Sequence, residues 1–224
     1  ELPQRFFIDE RKTKGGIVLT DNFFQLGESL QYESLTQETE ARWRLVETAW
    51  ELSLPKHLVQ VGYQESTGVF IADNKLRRVA VTSAKSALNG YQKGRCFYCF
   101  KEITIESGQA HSADVDHFFP HILRQCDADK PVNGVANLVL ACAECNRGQQ
   151  GKFDRLPTIP LLERLYNRNE YLITSHHPLR ETLIAQTGAK HQQRRQFLQD
   201  AYKCSVNHGL ITKWQPLQQG LAVF

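Results

Sequence analysis

Residues 95–152 decide how this chain reads. They include Arg95-Cys96-Phe97-Tyr98-Cys99, then Asp114-Val115-Asp116-His117-Phe118-Phe119-Pro120, then Asn137-Leu138-Val139-Leu140-Ala141-Cys142-Ala143-Glu144-Cys145-Asn146-Arg147-Gly148-Gln149-Gln150-Gly151-Lys152. Two Cys-x-x-Cys pairs bracket an Asp-His dipeptide. That spacing lets all four sulfurs reach one tetrahedral Zn²⁺, with Zn–S bonds of about 2.3 Å. Four thiolates close the coordination shell, so an ion held there is structural. It would staple the two ends of the segment and contribute to folding. Two pairs of identical spacing argue against redox-active or merely buried thiols. Cys126 and Cys204 stand apart and read as small side chains.

Between the pairs, Val115, His117 and Phe119 alternate with Asp114, Asp116 and Phe118, a strand pattern that Pro120 ends. A polar loop follows, with Asp127, Asp129, Lys130, Pro131 and Gly134. Asn137 then leads into a short apolar strand, Leu138 to Ala141. From Ala143 a short helix is expected, starting inside the second cysteine pair and carrying Asn146, Arg147 and Lys152. The order is strand, loop, strand, helix.

These residues resemble the HNH nuclease family, whose ββα-metal fold has this order, and in particular the HNH domain of RNA-guided CRISPR nucleases. The resemblance rests on D-V-D-H-F-F-P, N-L-V-L, C-N-R-G-Q-Q-G-K and the cysteine pairs, and spans residues 95–152. The third letter of the family's motif is often His, where this chain has Asn146, the His-Asn-Asn variant. An amide oxygen still ligates a hard cation, which shifts the metal preference toward Mg²⁺ or Mn²⁺. The resemblance implies a metal-dependent DNA endonuclease using a one-metal-ion mechanism, of a kind found in restriction or anti-phage defence. It makes His117 the general base, and Asp116 and Asn146 the ligands of the catalytic divalent cation. It has Asn137 fix the loop behind His117, and Arg147 and Lys152 contact DNA phosphate. Asp114 is either a carboxylate backing these groups or a surface residue.

The chemistry agrees. Phosphodiester hydrolysis needs an activated water, charge stabilisation at the phosphoryl oxygens and help for the leaving alkoxide. Imidazole titrates near neutral pH, and Asp116 and Asn146 offer one anionic and one neutral oxygen. Adjacent residues of a regular strand point to opposite faces, so the strand is expected to twist or end at His117. Other readings are a nuclease subunit active only in a larger complex, and a non-catalytic zinc-ribbon module that binds nucleic acid.

Outside this segment the expected fold is α+β. The ββα-metal core with its zinc knuckles sits between residues 1–94, a helical and β-hairpin region for DNA or partner contact, and residues 153–224, a helical region packing on the core. In the first region, short strands are expected at Phe6-Phe7-Ile8 and Gly15-Gly16-Ile17-Val18-Leu19. A helix starts near Ser34 and Gln37 and ends at Pro55, with Leu35, Trp43, Val46, Trp50 and Leu54 as its core stripe. Residues 58–63 and 69–72 form a hairpin turning at Gly68. A second helix runs from Asp73 or Asn74 to about Gln92, stopped by Gly94. Its Lys75, Arg77, Arg78, Lys85 and Lys93 are either a solvated face or a phosphate contact. Helices are expected over 160–172, 178–187 and 190–208, with a tail that packs back through Ile211, Trp214, Leu217 and Phe224. The His176-His177 pair reads as polar surface or as lining of a substrate groove, and His111 and His121 flank the motif strand, where a phosphate contact is the alternative to no role.

A net charge of +3 is too small to argue for nucleic acid by itself. No apolar run reaches membrane-span length and no secretory h-region opens the chain, so the expected location is the cytoplasm, without membrane contact. No methionine occurs, so chain upstream of residue 1 is expected. A single nuclease centre cuts one strand at a time. The partners this implies are DNA and either a second copy of the chain or a protein of a defence complex.

Overall fold

The structure is a computed structural model that describes residues 5–28, 32–51, 60–73, 78–80, 83–106, 108–120 and 133–224. The chain mixes helices with small sheets. Strands β1 (Phe7–Glu10) and β2 (Gly16–Leu19) pair antiparallel, as expected, and helix α1 (Asp21–Gly27), which the sequence did not signal, follows them. None of the α1 residues is buried, and Phe7, Ile17 and Phe24 are exposed. Next comes α2 (Tyr32–Glu51). Its buried side chains include Ala41 and Leu45, whereas Trp43 is 54% exposed and lies off the core stripe assigned to it. The expected stop at Pro55 lies outside the described residues.

Strands β3 (Gln60–Gln64), β4 (Val69–Asp73) and β5 (Arg78–Ala80) form an antiparallel sheet, and α3 (Ser83–Gln92) follows. The β3–β4 turn closes on Gly68 at φ +67°, a conformation that favours glycine. The helix expected from Asp73 or Asn74 therefore starts later, because Arg78–Ala80 pairs with β4 instead. The expected basic face dissolves with it. Lys85 donates to the Ala113 carbonyl at 3.0 Å and Lys93 to the Val223 carbonyl at 2.5 Å, while Lys75 and Arg77 lie outside the described residues. Helices α2 and α3 pack at Gly90, where a Cβ would sit 2.8 Å from Glu38 Cβ.

Strands β6 (Asp114–His117) and β7 (Leu138–Ala141) pair antiparallel, Asp116 opposite Val139 and His117 opposite Leu138. A 3-10 turn over Val135–Asn137 enters β7, and α4 (Ala143–Arg147) leaves it. Every residue of β7 is buried, beside Phe97, Tyr98, Phe118 and Phe119. Such side chains each contribute about 1.5–3 kcal/mol on burial. The outer edge of β7 is met by Gln92. Its amide donates to the Leu140 carbonyl at 2.8 Å and accepts from the Leu140 N–H at 2.9 Å.

After β8 (Leu156–Pro157) come α5 (Ile159–Thr174), α6 (Arg180–Thr187) and α7 (His191–Asn207), close to the three expected helices. Strand β9 (Lys213–Trp214) then returns parallel to β8. Helices α5 and α6 grip the 3-10 turn. Arg168 donates to the Val135 and Ala136 carbonyls, Asn169 to the Ala136 carbonyl, and Gln186 accepts from the Ala136 N–H. Burial pulls the Arg168 guanidinium down to about 10, still charged at neutral pH. His177 is buried rather than surface, and burial pushes its imidazole down to about 3, so it stays neutral. The tail packs through Trp214 and Phe224, the latter against Tyr91, Phe97 and Phe100, but Ile211 and Leu217 face solvent. Cys204 is disulfide-bonded, not the lone small side chain it reads as. No helix among the described residues is long and apolar enough to cross a membrane.

Candidate functional site

The four cysteines of the two pairs come together. Cys96, Cys99, Cys142 and Cys145 are buried, and their sulfurs all lie within 4.8 Å of one another, a cluster that can hold a metal ion such as zinc. Local backbone sets it. The Cys96 N–H donates to the Lys101 carbonyl and the Phe100 N–H to the Cys96 carbonyl, with Phe100 at φ +61°. Cys142 caps α4, its sulfur accepting the Cys145 N–H at 3.4 Å. Hydrogen bonds from the thiols of Cys145, Cys96 and Cys99 pull Cys142 far below the ordinary thiol range. Bonding to Cys142 pushes Cys145 and Cys96 up in turn. Four sulfurs gathered this closely are suited to a soft or borderline cation.

β6 stays regular through His117, so its neighbours diverge. The strand ends there, as expected, and its last two side chains still point to opposite faces. Asp116 turns into the protein, 6% exposed, where it accepts from the Tyr98 hydroxyl at 2.5 Å and the Lys152 ammonium at 3.3 Å. Burial pushes its carboxyl up, against the pull of Lys152. Lys152 is itself 1% exposed and also donates to the His117 carbonyl at 2.7 Å and the Phe153 carbonyl at 3.1 Å. Its expected phosphate contact is not what the structure shows. The ammonium is enclosed and ties β6 to the segment after α4. Gly151 makes that return possible, since a Cβ there would sit 2.8 Å from Gly148 N and 2.9 Å from Asn146 O.

Asn146 meets Asp114, not Asp116. Its amide nitrogen donates to Asp114 Oδ2 at 3.1 Å, and the exposed Arg147 donates to the same oxygen at 2.8 Å. Burial foremost, then the charges of Glu65 and Asp114, raises the Tyr63 hydroxyl above its ordinary value, so β3 and β6 share one electrostatic neighbourhood.

Asn137 acts beyond the end of the β6–β7 ladder. Its side-chain oxygen accepts from the Phe119 N–H at 2.8 Å, and its amide donates to the Phe119 carbonyl at 3.0 Å. Asn137→Ala removes both partners from a buried peptide group. The expected loss is about 1–3 kcal/mol for each group left unpaired, read as a lower urea midpoint in equilibrium unfolding. An unchanged midpoint would refute this account.

His117 faces the opposite side, with its ring beside Tyr63. Its Nε2 lies 3.0 Å from Asn133 Oδ1 and 3.8 Å from Glu65 Oε1. Sequence reasoning missed Tyr98, Asn133, Tyr63 and Glu65. Only Asn133-Gly134, a turn dipeptide, carried a local signal, and it pointed to a loop rather than to a site. His121 lies outside the described residues, and His111 is exposed.

Comparison of the chain with protein families, with curated proteins and with solved structures gave no match. The geometry stands by itself.

Proposed function

We propose that the chain is a metal-dependent DNA endonuclease of HNH type, with a structural Zn²⁺ on Cys96, Cys99, Cys142 and Cys145. One observation carries the reading: the β6–β7–α4 sequence of elements bears His117, and gathers Asp114, Asn146 and Arg147, directly beside a four-cysteine frame. Sequence resemblance alone would give the ion to Asp116 and Asn146. We assign it to Asp114 and Asn146 instead, since Asp116 is buried against Tyr98 and Lys152, whereas Asp114 is partly exposed and already meets Asn146 and Arg147. A Mg²⁺ or Mn²⁺ ion bound there supplies charge for the phosphoryl oxygens and the leaving oxygen. His117 takes the proton of the attacking water. Arg147, exposed on α4 and paired with Asp114, is the residue that would meet a backbone phosphate. Asn137 holds the chain just after His117, and so the depth at which the imidazole sits.

The test is plasmid nicking against divalent-ion concentration. Asp114→Asn is expected to raise the Mg²⁺ concentration for half-maximal nicking about 10-fold or more. Asp116→Asn is expected to act on folding stability instead. If Asp116→Asn alone shifts the Mg²⁺ dependence, the ion belongs to the buried carboxylate. If no divalent ion supports nicking, the nuclease reading fails and the zinc-ribbon binding module takes its place.

A second reading, a nuclease subunit working in a larger complex, is favoured by the exposed Phe7, Ile17 and Phe24 on the β1–β2–α1 arm. Activity that appears only after a partner is added would select it.

A further inference from the structure

Resting on that reading, we propose that Asn133 is a positioning residue for His117, held in place by the β3–β4 hairpin, and that it makes Nδ1 the atom that accepts the proton. The bond is direct. Asn133 Oδ1 lies 3.0 Å from His117 Nε2. An amide oxygen can only accept, so the ring hydrogen sits on Nε2 and the lone pair on Nδ1.

Asn133 is fixed in turn by a segment far from it in sequence. The Tyr63 N–H donates to the Asn133 backbone carbonyl at 3.0 Å, and Gly62 pairs with Gly134 in an isolated antiparallel bridge. From the other side, the Gln186 side chain donates to the Val61 carbonyl and accepts from Ala136, locking β3 to the same turn. The Tyr63 ring lies 6.1 Å from the imidazole and limits its rotation. Glu65, at the hairpin end, places a carboxylate oxygen 3.8 Å from the same Nε2. Both oxygens nearest Nε2 are acceptors, so they favour the same tautomer. Among the described residues, Asp116 and Lys152 meet β6 from its other face.

In the reaction, Nδ1 takes the proton of the attacking water as the new O–P bond forms. The P–O bond to the leaving oxygen breaks, and that oxygen takes a proton from solvent. The site therefore extends past residues 95–152 to include a hairpin at residues 60–73.

The experiment uses the full chain with ¹⁵N-labelled histidine, His117 being assigned by its loss in His117→Ala. The neutral ring is expected to show the Nε2–H tautomer. Asn133→Ala is expected to give a mixture of tautomers and to lower Mg²⁺-dependent nicking about 10- to 100-fold. Asn133→Asp keeps an acceptor oxygen, and is expected to restore the single tautomer and most of the rate. An Nδ1–H tautomer in the parent chain, or an unchanged spectrum in Asn133→Ala, overturns the proposal. If the parent chain shows the Nε2–H tautomer but no nicking with any divalent ion, the nuclease reading fails while the placement of the ring by Asn133 stands.

Discussion

His117→Ala is expected to lower metal-dependent nicking of supercoiled plasmid by about two to four orders of magnitude at neutral pH, the range a positioned general base supplies. Zinc content should not change. The effect is confined to chemistry because of where the side chain sits. The His117 ring lies on the face of β6 opposite the buried Asp116, against Tyr63 and Asn133, and is not a member of the cysteine cluster. The backbone at this position is held independently of the ring, by Lys152 on the His117 carbonyl and by pairing with Leu138. An alanine there keeps both. Nicking assays run beside zinc analysis and thermal melts would check this. Undiminished nicking by the variant would remove His117 from the mechanism, and a collapsed melt would show that the ring serves folding.

The largest effect on stability is expected from Cys142→Ser. This sulfur lies within 4.8 Å of its three neighbours and also caps α4 through the Cys145 N–H. Serine keeps an oxygen that can cap α4 but is a poor zinc ligand. Structural zinc sites contribute about 10–16 kcal/mol in small peptides, and even a third of that would be felt across the whole chain. The expected result is loss of bound zinc and a thermal midpoint lower by about 10 °C or more. A strong chelator should bring the parent chain to the same midpoint and leave the variant where it is. Melting is the right readout, since a chelator would also strip the divalent ion that the proposed nicking requires. A variant that keeps one zinc per chain and melts with the parent would show that the cluster is not a four-sulfur site.

The features readable from the chain were those whose causes are local. Identical Cys-x-x-Cys spacing, the alternation before Pro120, the apolar run Leu138 to Ala141 and the turn at Gly68 each declare themselves within a few residues. What escaped depends on packing between distant segments. Lys152 looks like a surface cation beside Arg147, and only the turn at Gly151 buries it against Asp116. Asp116 looks like the obvious metal ligand beside His117, yet strand alternation sends it toward Tyr98. The contact between Asn133 and His117 depends on a hairpin about seventy residues upstream. The helix placed from Asp73 failed for a related reason: the pairing of Arg78–Ala80 with β4 is a tertiary preference that helical propensity does not include. Trp43 shows that an aromatic on a helical stripe need not face the core.

The amide of Gln92 on β7 has a consequence for the chain among its own copies. A two-stranded sheet leaves edges, and a β7 made only of apolar residues would be a template for a strand from another molecule. Gln92 meets the Leu140 peptide with one donor and one acceptor, the pattern an incoming strand would need, and the Phe97 N–H bonds the same carbonyl. The fold thus protects its most aggregation-prone segment with a side chain from α3. Loss of that one amide would show first in the solubility of concentrated protein.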